Sequence, residues 1–460
     1  MQKNGNAIIH KYTLNGYHIV LDTNSGAVHL FGEAPFAMLD YLDGTVPEEP
    51  PEAMRTGLKG RFSEATLREA YEELRALYEK GQLFSPDEYG RFAALLKGAP
   101  IKSMCLNVAH DCNLRCRYCF AAQGDFGGRR MLMPFDVARR AIDFLVERSG
   151  GRHNLEVDFF GGEPLMNFKV VRQTVAYARS LEKTHHKNFR FTITTNGLLL
   201  DDDKIDFINR EMSNCILSLD GRREVNDRLR VRVDGSGSYD SIVPKFQKLV
   251  KRRPKDRDYY IRGTYSRYNL DFTNDVRRML DLGFDRISVE PVVSDSRLEY
   301  AIQETDLPRI FEEYDRLSDL VIERKKAGKG FDFFHFMIDL NQGPCAIKRL
   351  RGCSCGNEYV AVTPAGDIYP CHQFVGYEQW KMGNLLDGTF DEARKNRFAL
   401  VNVYSKPECV GCWAKFYCSG GCDANNWQYE GSVSKPHRIS CALEKKRIEC
   451  AVMIQAALAE

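Results

Sequence analysis

The 460-residue chain lacks a net charge of any consequence: Lys and Arg total 65 against 63 Asp and Glu, or +2 overall. Nucleic acid or an anionic membrane as the main partner calls for concentrated positive charge, so the balance argues against both. The chain also lacks any apolar run near the ~18 residues that a membrane-crossing helix needs. The polar stretch Met1–Gly16 has no signal-peptide core, so a cytoplasmic location is expected. The first hundred residues lack cysteine altogether. What remains, 43% hydrophobic and 28% charged, is the make-up of an ordinary folded chain, long enough for two or three domains.

Cysteine departs from the ordinary. There are 15, an odd number, bunched in the middle and C-terminal parts. A reducing compartment disfavours structural disulfides, so bunched cysteines there point to metal or redox chemistry. The chain divides accordingly into a head (residues 1–95), a middle (100–330) and a tail (340–460).

In the head, His18-Ile19-Val20-Leu21 and Ala27-Val28-His29-Leu30 flank a polar, glycine-containing turn, the mark of a β-hairpin. Helices are predicted over 34–41 and 63–80, the second with Ser63 as N-cap ahead of Leu67, Ala70, Leu74 and Leu77. A hairpin beside helices reads as a winged-helix-like module, and such modules often bind DNA. This helix, however, carries Glu64, Glu69, Glu72, Glu73 and Glu79 against Arg68, Arg75 and Lys80, too little positive charge for phosphates. Capture of an extended peptide by strand addition is the preferred expectation.

In the middle, six strand-like segments (104–109, 155–160, 189–194, 215–219, 259–264 and 287–290) alternate with helical ones such as 135–148, 168–181 and 272–282. Repeated strand–helix units predict an α/β fold, a parallel sheet curled into a partial (β/α)6 barrel whose ligands sit at the C-terminal strand ends. After the first strand comes Cys112-Asn113-Leu114-Arg115-Cys116-Arg117-Tyr118-Cys119, a CxxxCxxC. Three thiolates can hold three irons of a [4Fe–4S] cube and leave the fourth open to a small molecule. Zinc, or a cube completed by a distant cysteine, is the alternative. After the second strand, Gly161-Gly162-Glu163-Pro164 offers two positions free of side chains, where a ligand can approach the backbone, and a carboxylate acceptor for an ammonium group. Asn196, Ser218 with Asp220-Gly221, and Glu290 stand at the later strand ends. Arg228, Arg230, Arg262 and Arg267 are candidates for a carboxylate clamp, and 251–255 reads as a solvated helix end.

The tail contains Cys345, Cys353, Cys355 and Cys371, then Cys409, Cys412, Cys418 and Cys422 as CxxCxxxxxCxxxC, then Cys441. Nine cysteines exceed one tetrahedral site and suit two clusters, with zinc ribbons as the alternative. A hairpin spanning 359–370 leads into Cys371.

The loop Cys112–Cys119 with Gly161-Gly162-Glu163-Pro164 resembles the radical S-adenosylmethionine (SAM) enzymes, and the tail resembles their SPASM extension. The resemblance implies a cluster on Cys112, Cys116 and Cys119 that binds SAM. It places SAM contacts near Gly161, Gly162, Glu163, Pro164, Asn196, Ser218, Arg230 and Glu290. It implies two auxiliary [4Fe–4S] clusters: Cys409, Cys412, Cys418 and Cys441 would hold one. Cys345, Cys371, Cys422 and one of Cys353 or Cys355, with Cys353 preferred, would hold the other. Cys105 and Cys215 are left as buried inert thiols and Cys450 as a packing residue. Across nearly the whole length, including Ile9-His10-Lys11-Tyr12 and Glu358-Tyr359-Val360-Ala361-Val362-Thr363-Pro364, the chain resembles the maturases of six-cysteine (SCIFF) peptides. This implies a leader-binding head, a cysteine-rich precursor peptide and an external electron donor as partners, and a 5′-deoxyadenosyl radical that leads to a Cys-sulfur-to-carbon thioether. Sulfatase maturases are the rival; there an Asp commonly stands where this chain has His372. A DNA-binding iron–sulfur sensor is a rival from another class.

Overall fold

The computed structural model describes residues 8–93, 95–96, 98–340 and 346–459. Cys345 lies outside the described residues.

The head opens with three antiparallel strands, β1 (Ile9–Leu14), β2 (Tyr17–Asp22) and β3 (Val28–Phe31). The expected β2–β3 hairpin is there, with His18 opposite Phe31 and Leu21 opposite Val28. The additional strand β1 follows from Asn15-Gly16, whose φ values of 50° and 82° make the two-residue hairpin turn that twisted strands prefer. Asp22 is wholly buried and anchors the next turn, its carboxylate accepting from the Ser25 amide at 2.9 Å and from the Ser85 amide at 3.0 Å. The strong helix forms as Glu64–Glu79, with Ser63 Oγ accepting from the Thr66 amide. The weaker one forms as Glu33–Met38 and tightens into a turn at Leu39–Tyr41.

All six predicted strands of the middle are present: β4 (Ser103–His110), β6 (Asn154–Gly161), β7 (Asn188–Thr195), β8 (Met212–Ser218), β9 (Asp258–Tyr265) and β10 (Arg286–Pro291). Two short strands join them, β5 (Met131–Leu132) antiparallel to β4 and β11 (Asp332–Phe333) parallel to β10. The run from β4 to β10 is parallel, each strand beside the next, as helical crossovers demand. On β6, Leu155, Val157 and Phe159 are fully buried against the helix layer, while Glu156, Asp158 and Phe160 face the other side. That face is polar, so a ligand can occupy it.

The sheet does not stop where the middle ends. β12 (Tyr359–Val362) pairs in parallel with β4, Tyr359 opposite Ser103, and β13 (Asp367–Tyr369), β14 (Gly383–Asn384) and β15 (Thr389–Phe390) continue it antiparallel. The expected division near 330–340 is therefore no break in the sheet. The tail's last helix, Arg438–Ala459, packs on the helix Leu307–Lys326. Arg253, expected in a solvated run, is instead half-buried, its guanidinium donating to Asn209 Oδ1 and to the carbonyls of Met212 and Asp258. No described helix is long and apolar enough to cross a membrane.

Candidate iron–sulfur and SAM site

The loop after β4 is held from both sides. The Arg115 and Arg117 amides donate to the carbonyls of Val231 and Leu229, pinning one flank to the segment after β8. On the other flank the loop meets the end of β6. Gly162 and Glu163 donate their amides to Ala109 and Asp111 at 2.7 and 2.9 Å. A Cβ on Gly161, whose φ is +127°, would lie 2.3 Å from the Ala109 oxygen, and one on Gly162 would lie 2.1 Å from the Asp111 oxygen. The two glycines thus admit the cysteine loop itself, where the sequence suggested a ligand. Gly124, which the sequence reading passed over, completes the contact: its Cβ would lie 2.7 Å from Cys112 Cβ and 3.1 Å from Gly162 Cα.

The three thiols lie within one another's electrostatic reach, and burial pushes Cys112 and Cys116 up to about 12. Iron bound there would take the proton's place, so the donor set fits a cluster in its chemistry. The Leu114 amide points at Cys112 Sγ (3.4 Å), as does Asn196 Nδ2 (3.6 Å), and such N–H···S contacts tune a cluster's potential. Among the described residues, no three His, Cys, Asp or Glu side chains gather as a site for a single ion.

Glu163 also has a structural role. Its buried carboxylate already accepts from Thr195 Oγ1 (2.7 Å), the Asn196 amide (2.8 Å) and the Leu165 amide (3.0 Å). It ties the ends of β6 and β7 together and caps the short helix begun by Pro164; burial raises it to about 7 against those bonds. Asn196 Nδ2 also donates to Asn113 Oδ1 at 2.8 Å, which places it on the cysteine loop. Ser218 ends β8, opposite Arg262 of β9.

Among the four arginines, Arg230 is the one beside the cysteines. It is buried, 3.0 Å from the buried Asp220, which also accepts from Tyr118 of the loop at 2.6 Å. Its charge is felt at Cys116 and Cys119. Arg262 instead pairs with Glu290; against the burial that would raise that carboxyl, the guanidinium holds it down to about 2. Arg228 lies over the Tyr268 ring at 3.5 Å and Arg267 faces Asp306 at 3.4 Å.

The tail brings together Cys409, Cys412, Cys418 and Cys441: Cys409, Cys418 and Cys441 each feel the charge of others in the set. Cys353, Cys355, Cys371 and Cys422 form a second group by the same measure. Cys355 is buried, its thiol donating to Asp423 Oδ2 at 3.5 Å. Cys119, Cys371 and Cys422 share one apolar cluster. Between the loop and Cys371 stand three rings: His372 lies 5.0 Å from Phe160 and 5.4 Å from Phe120, and Phe120 is 49% exposed. His372 is therefore a partly buried member of this ring cluster, bonded to the Tyr359 hydroxyl at 3.2 Å, and burial lowers it to about 4. Cys105 and Cys215 are buried as expected, and Cys450 is buried in the last helix with its thiol 3.6 Å from Asp315.

Residues 106–263 match the family model of the radical SAM superfamily, and residues 353–413 match SPASM, described as an iron–sulfur cluster-binding domain. The chain carries a radical SAM domain followed by a SPASM domain. SAM and iron–sulfur clusters are accordingly its cofactors. Among characterised relatives, it is 24% identical over 336 residues to a cysteine-type anaerobic sulfatase-maturating enzyme of Clostridium novyi, covering 69% of this chain and 86% of that one. It is 21% identical over 477 residues to the radical SAM cyclopropyl synthase TigE of Paramaledivibacter caminithermalis, covering 94% and 91%. Among solved structures, anSMEcpe with bound AdoMet and Cp18Cys peptide superposes with a TM-score of 0.63 at 20% identity, covering 78% of this chain and 99% of that one. SuiB of Streptococcus suis bound to S-adenosylmethionine gives 0.52 at 17% identity, covering 95% and 99%. The SPASM match begins at Cys353, within the segment that carries β12 into the radical SAM sheet.

Proposed function

We propose that the protein is a cytoplasmic peptide maturase that forms Cys-sulfur-to-carbon thioethers in a ribosomally made, cysteine-rich precursor, as the SCIFF-type resemblance implies. The observation that carries this reading is a cluster of contacting rings, Phe120, Phe160 and His372, that joins the end of the three-cysteine loop to Cys371 and leaves Phe120 half-exposed. A substrate segment lying over the exposed Phe120 would have a radical source and a sulfur-binding cluster within reach at once. Three [4Fe–4S] clusters would sit on Cys112, Cys116 and Cys119; on Cys409, Cys412, Cys418 and Cys441; and on Cys353, Cys371, Cys422 and Cys345. Bound at the first of these, SAM would supply a 5′-deoxyadenosyl radical. The Arg230 guanidinium is the group suited to the SAM carboxylate, and Gly161, Gly162, Glu163, Pro164, Asn196, Ser218 and Glu290 would shape the pocket.

The winged-helix-like head would hold the leader. β1 and β3 are the edge strands of this sheet; β1 is tied to the helix Arg438–Ala459 through Tyr12, and β3 has no strand against its outer edge among the described residues. An unpaired edge offers its amides and carbonyls to an extended peptide. Formylglycine formation is the second reading, favoured by the sulfatase-maturase relatives; the likeness to the cyclopropyl synthase TigE, over 94% of this chain, extends beyond sulfatase maturation.

Anaerobic incubation with SAM, a reductant and a leader-bearing cysteine-rich peptide tests the proposal. Mass spectrometry should find two hydrogens lost per bridge with 5′-deoxyadenosine released, and iron should approach about twelve per chain. A peptide of unchanged mass would overturn the thioether reading even if SAM were consumed.

A further inference from the structure

Between the two cysteine groups of the tail lies a buried ion pair. Lys406 is 1% exposed, and its ammonium donates to Asp423 Oδ1 at 2.6 Å and to the Gly420 carbonyl at 2.8 Å. Gly420 is the midpoint of Cys418-Ser419-Gly420-Gly421-Cys422, the link that joins one group to the other. It adopts φ +85°, and a Cβ there would press on Lys406 Cδ and Nζ at 3.0 Å. Asn426 Nδ2 donates to the same carbonyl at 3.3 Å. The lysine has a shaped place, and every one of these contacts faces inward.

The pair is oriented. The Lys406 carbonyl receives the Cys409 amide at 2.8 Å, which ties the lysine to the turn that carries Cys409 and Cys412. Asp423 stands on the other side, 3.5 Å from Cys355 Sγ and next in sequence to Cys422. Burying two charges is costly, and a pair of apolar side chains would stabilise the fold as well or better. Stability alone does not explain the pair.

We propose that Lys406 and Asp423 set a potential difference between the two auxiliary clusters, making the Cys409–Cys412–Cys418–Cys441 cluster the more easily reduced. Reduction adds one negative charge to a cluster. A nearby ammonium stabilises that charge and raises the potential, while a nearby carboxylate opposes it and lowers the potential; both effects are large where water is excluded. An electron released beside the Cys371 group would drain toward the Cys409 group. The inference rests on the reading that both groups hold four-iron clusters, but not on which bond the enzyme makes.

The test is an EPR-monitored redox titration of the full-length, anaerobically reconstituted protein, with iron counted in every sample. The neutral double variant Lys406→Met/Asp423→Asn, in which neither partner is left as a lone buried charge, should keep its iron while the two auxiliary potentials move toward each other. Lys406→Arg should keep the wild-type gap. An unchanged gap in the iron-replete double variant overturns the inference and leaves the cluster assignment standing. Loss of about four irons would show the pair to be a scaffold, which overturns it too. If the wild type shows no auxiliary signal, the cluster reading itself fails first.

Discussion

Gly162 has no room for a methyl group: its nearest neighbours would be the Asp111 oxygen at 2.1 Å and Gly124 Cα at 3.0 Å, both backbone, so no rotamer relieves the clash. Gly162→Ala should displace the Cys112–Cys119 loop and cost about four of about twelve irons, with the tail's clusters retained, by iron analysis and EPR. The ambiguity at Cys353-Ser354-Cys355 yields to a similar count. Cys353 acts on Cys371, Cys422 and Cys355, whereas Cys355, buried beside Cys353 and Cys371, also directs its thiol to Asp423. Cys353→Ser should therefore lose about four irons and Cys355→Ser none. Asp158 offers a pH handle. Burial, then the neighbouring Glu156, raises it to about 7. The folded chain thus holds a proton that the unfolded chain has released above about pH 4, and stability should fall as pH rises from there to about 7. Asp158→Asn should match the wild type near pH 4 and exceed it near pH 8 by up to about 4 kcal/mol in chemical denaturation; equal gains at both would refute the shift. Spacing made the cysteines legible in the sequence. The work of Glu163 was not, because its three donors come from residues that meet only when β6 and β7 lie side by side.

At the scale of elements, the strands were legible because their alternation is strong, and β1 was missed because the Asn15-Gly16 turn was read as part of a run. The docking of the head could not be read from sequence, since the partners lie about 400 residues apart. His10 on β1 stacks on Trp413 at 3.7 Å with the planes 2° apart, and its Nε2 meets Glu449 Oε1 at 2.8 Å. Lys415 reaches Asp87 at 2.7 Å. Trp413 and Lys415 belong to the segment carrying Cys412 and Cys418, so the head rests on a candidate cluster loop. His10→Ala should weaken this docking by about 1–2 kcal/mol. The expected result in limited proteolysis is faster cutting between residues 86 and 102, mapped by mass spectrometry, with iron content unchanged. An unaltered digestion pattern would mean that the stack contributes little.

Across the whole molecule, the head's sheet is buried on both faces, which a free-standing module would not be. Val20 and Phe31 pack on the head's own helices with Met38, Leu58 and Leu74. Ile19, fully buried, belongs instead to the large core that includes Leu106, Val362 and Met453, and partly buried Tyr12, Tyr17 and Val28 pack there too. The sequence already hinted at this: β2 reads Tyr-His-Ile-Val-Leu-Asp, a continuous apolar centre rather than a strict alternation, and such strands face packing on both sides. Cut away from the tail, residues 1–95 would expose one side of that sheet, including Ile19 and Val28. An apolar patch of this kind drives self-association. The isolated segment should therefore sediment as a dimer or larger species, and Ile19→Asp in the same segment should return it to a monomer. In the full chain the same substitution leaves a charge buried without a partner, and should destabilise by about 3 kcal/mol or more. A well-behaved monomer from the unsubstituted segment would show that the head is a module after all, attached to the tail rather than built upon it.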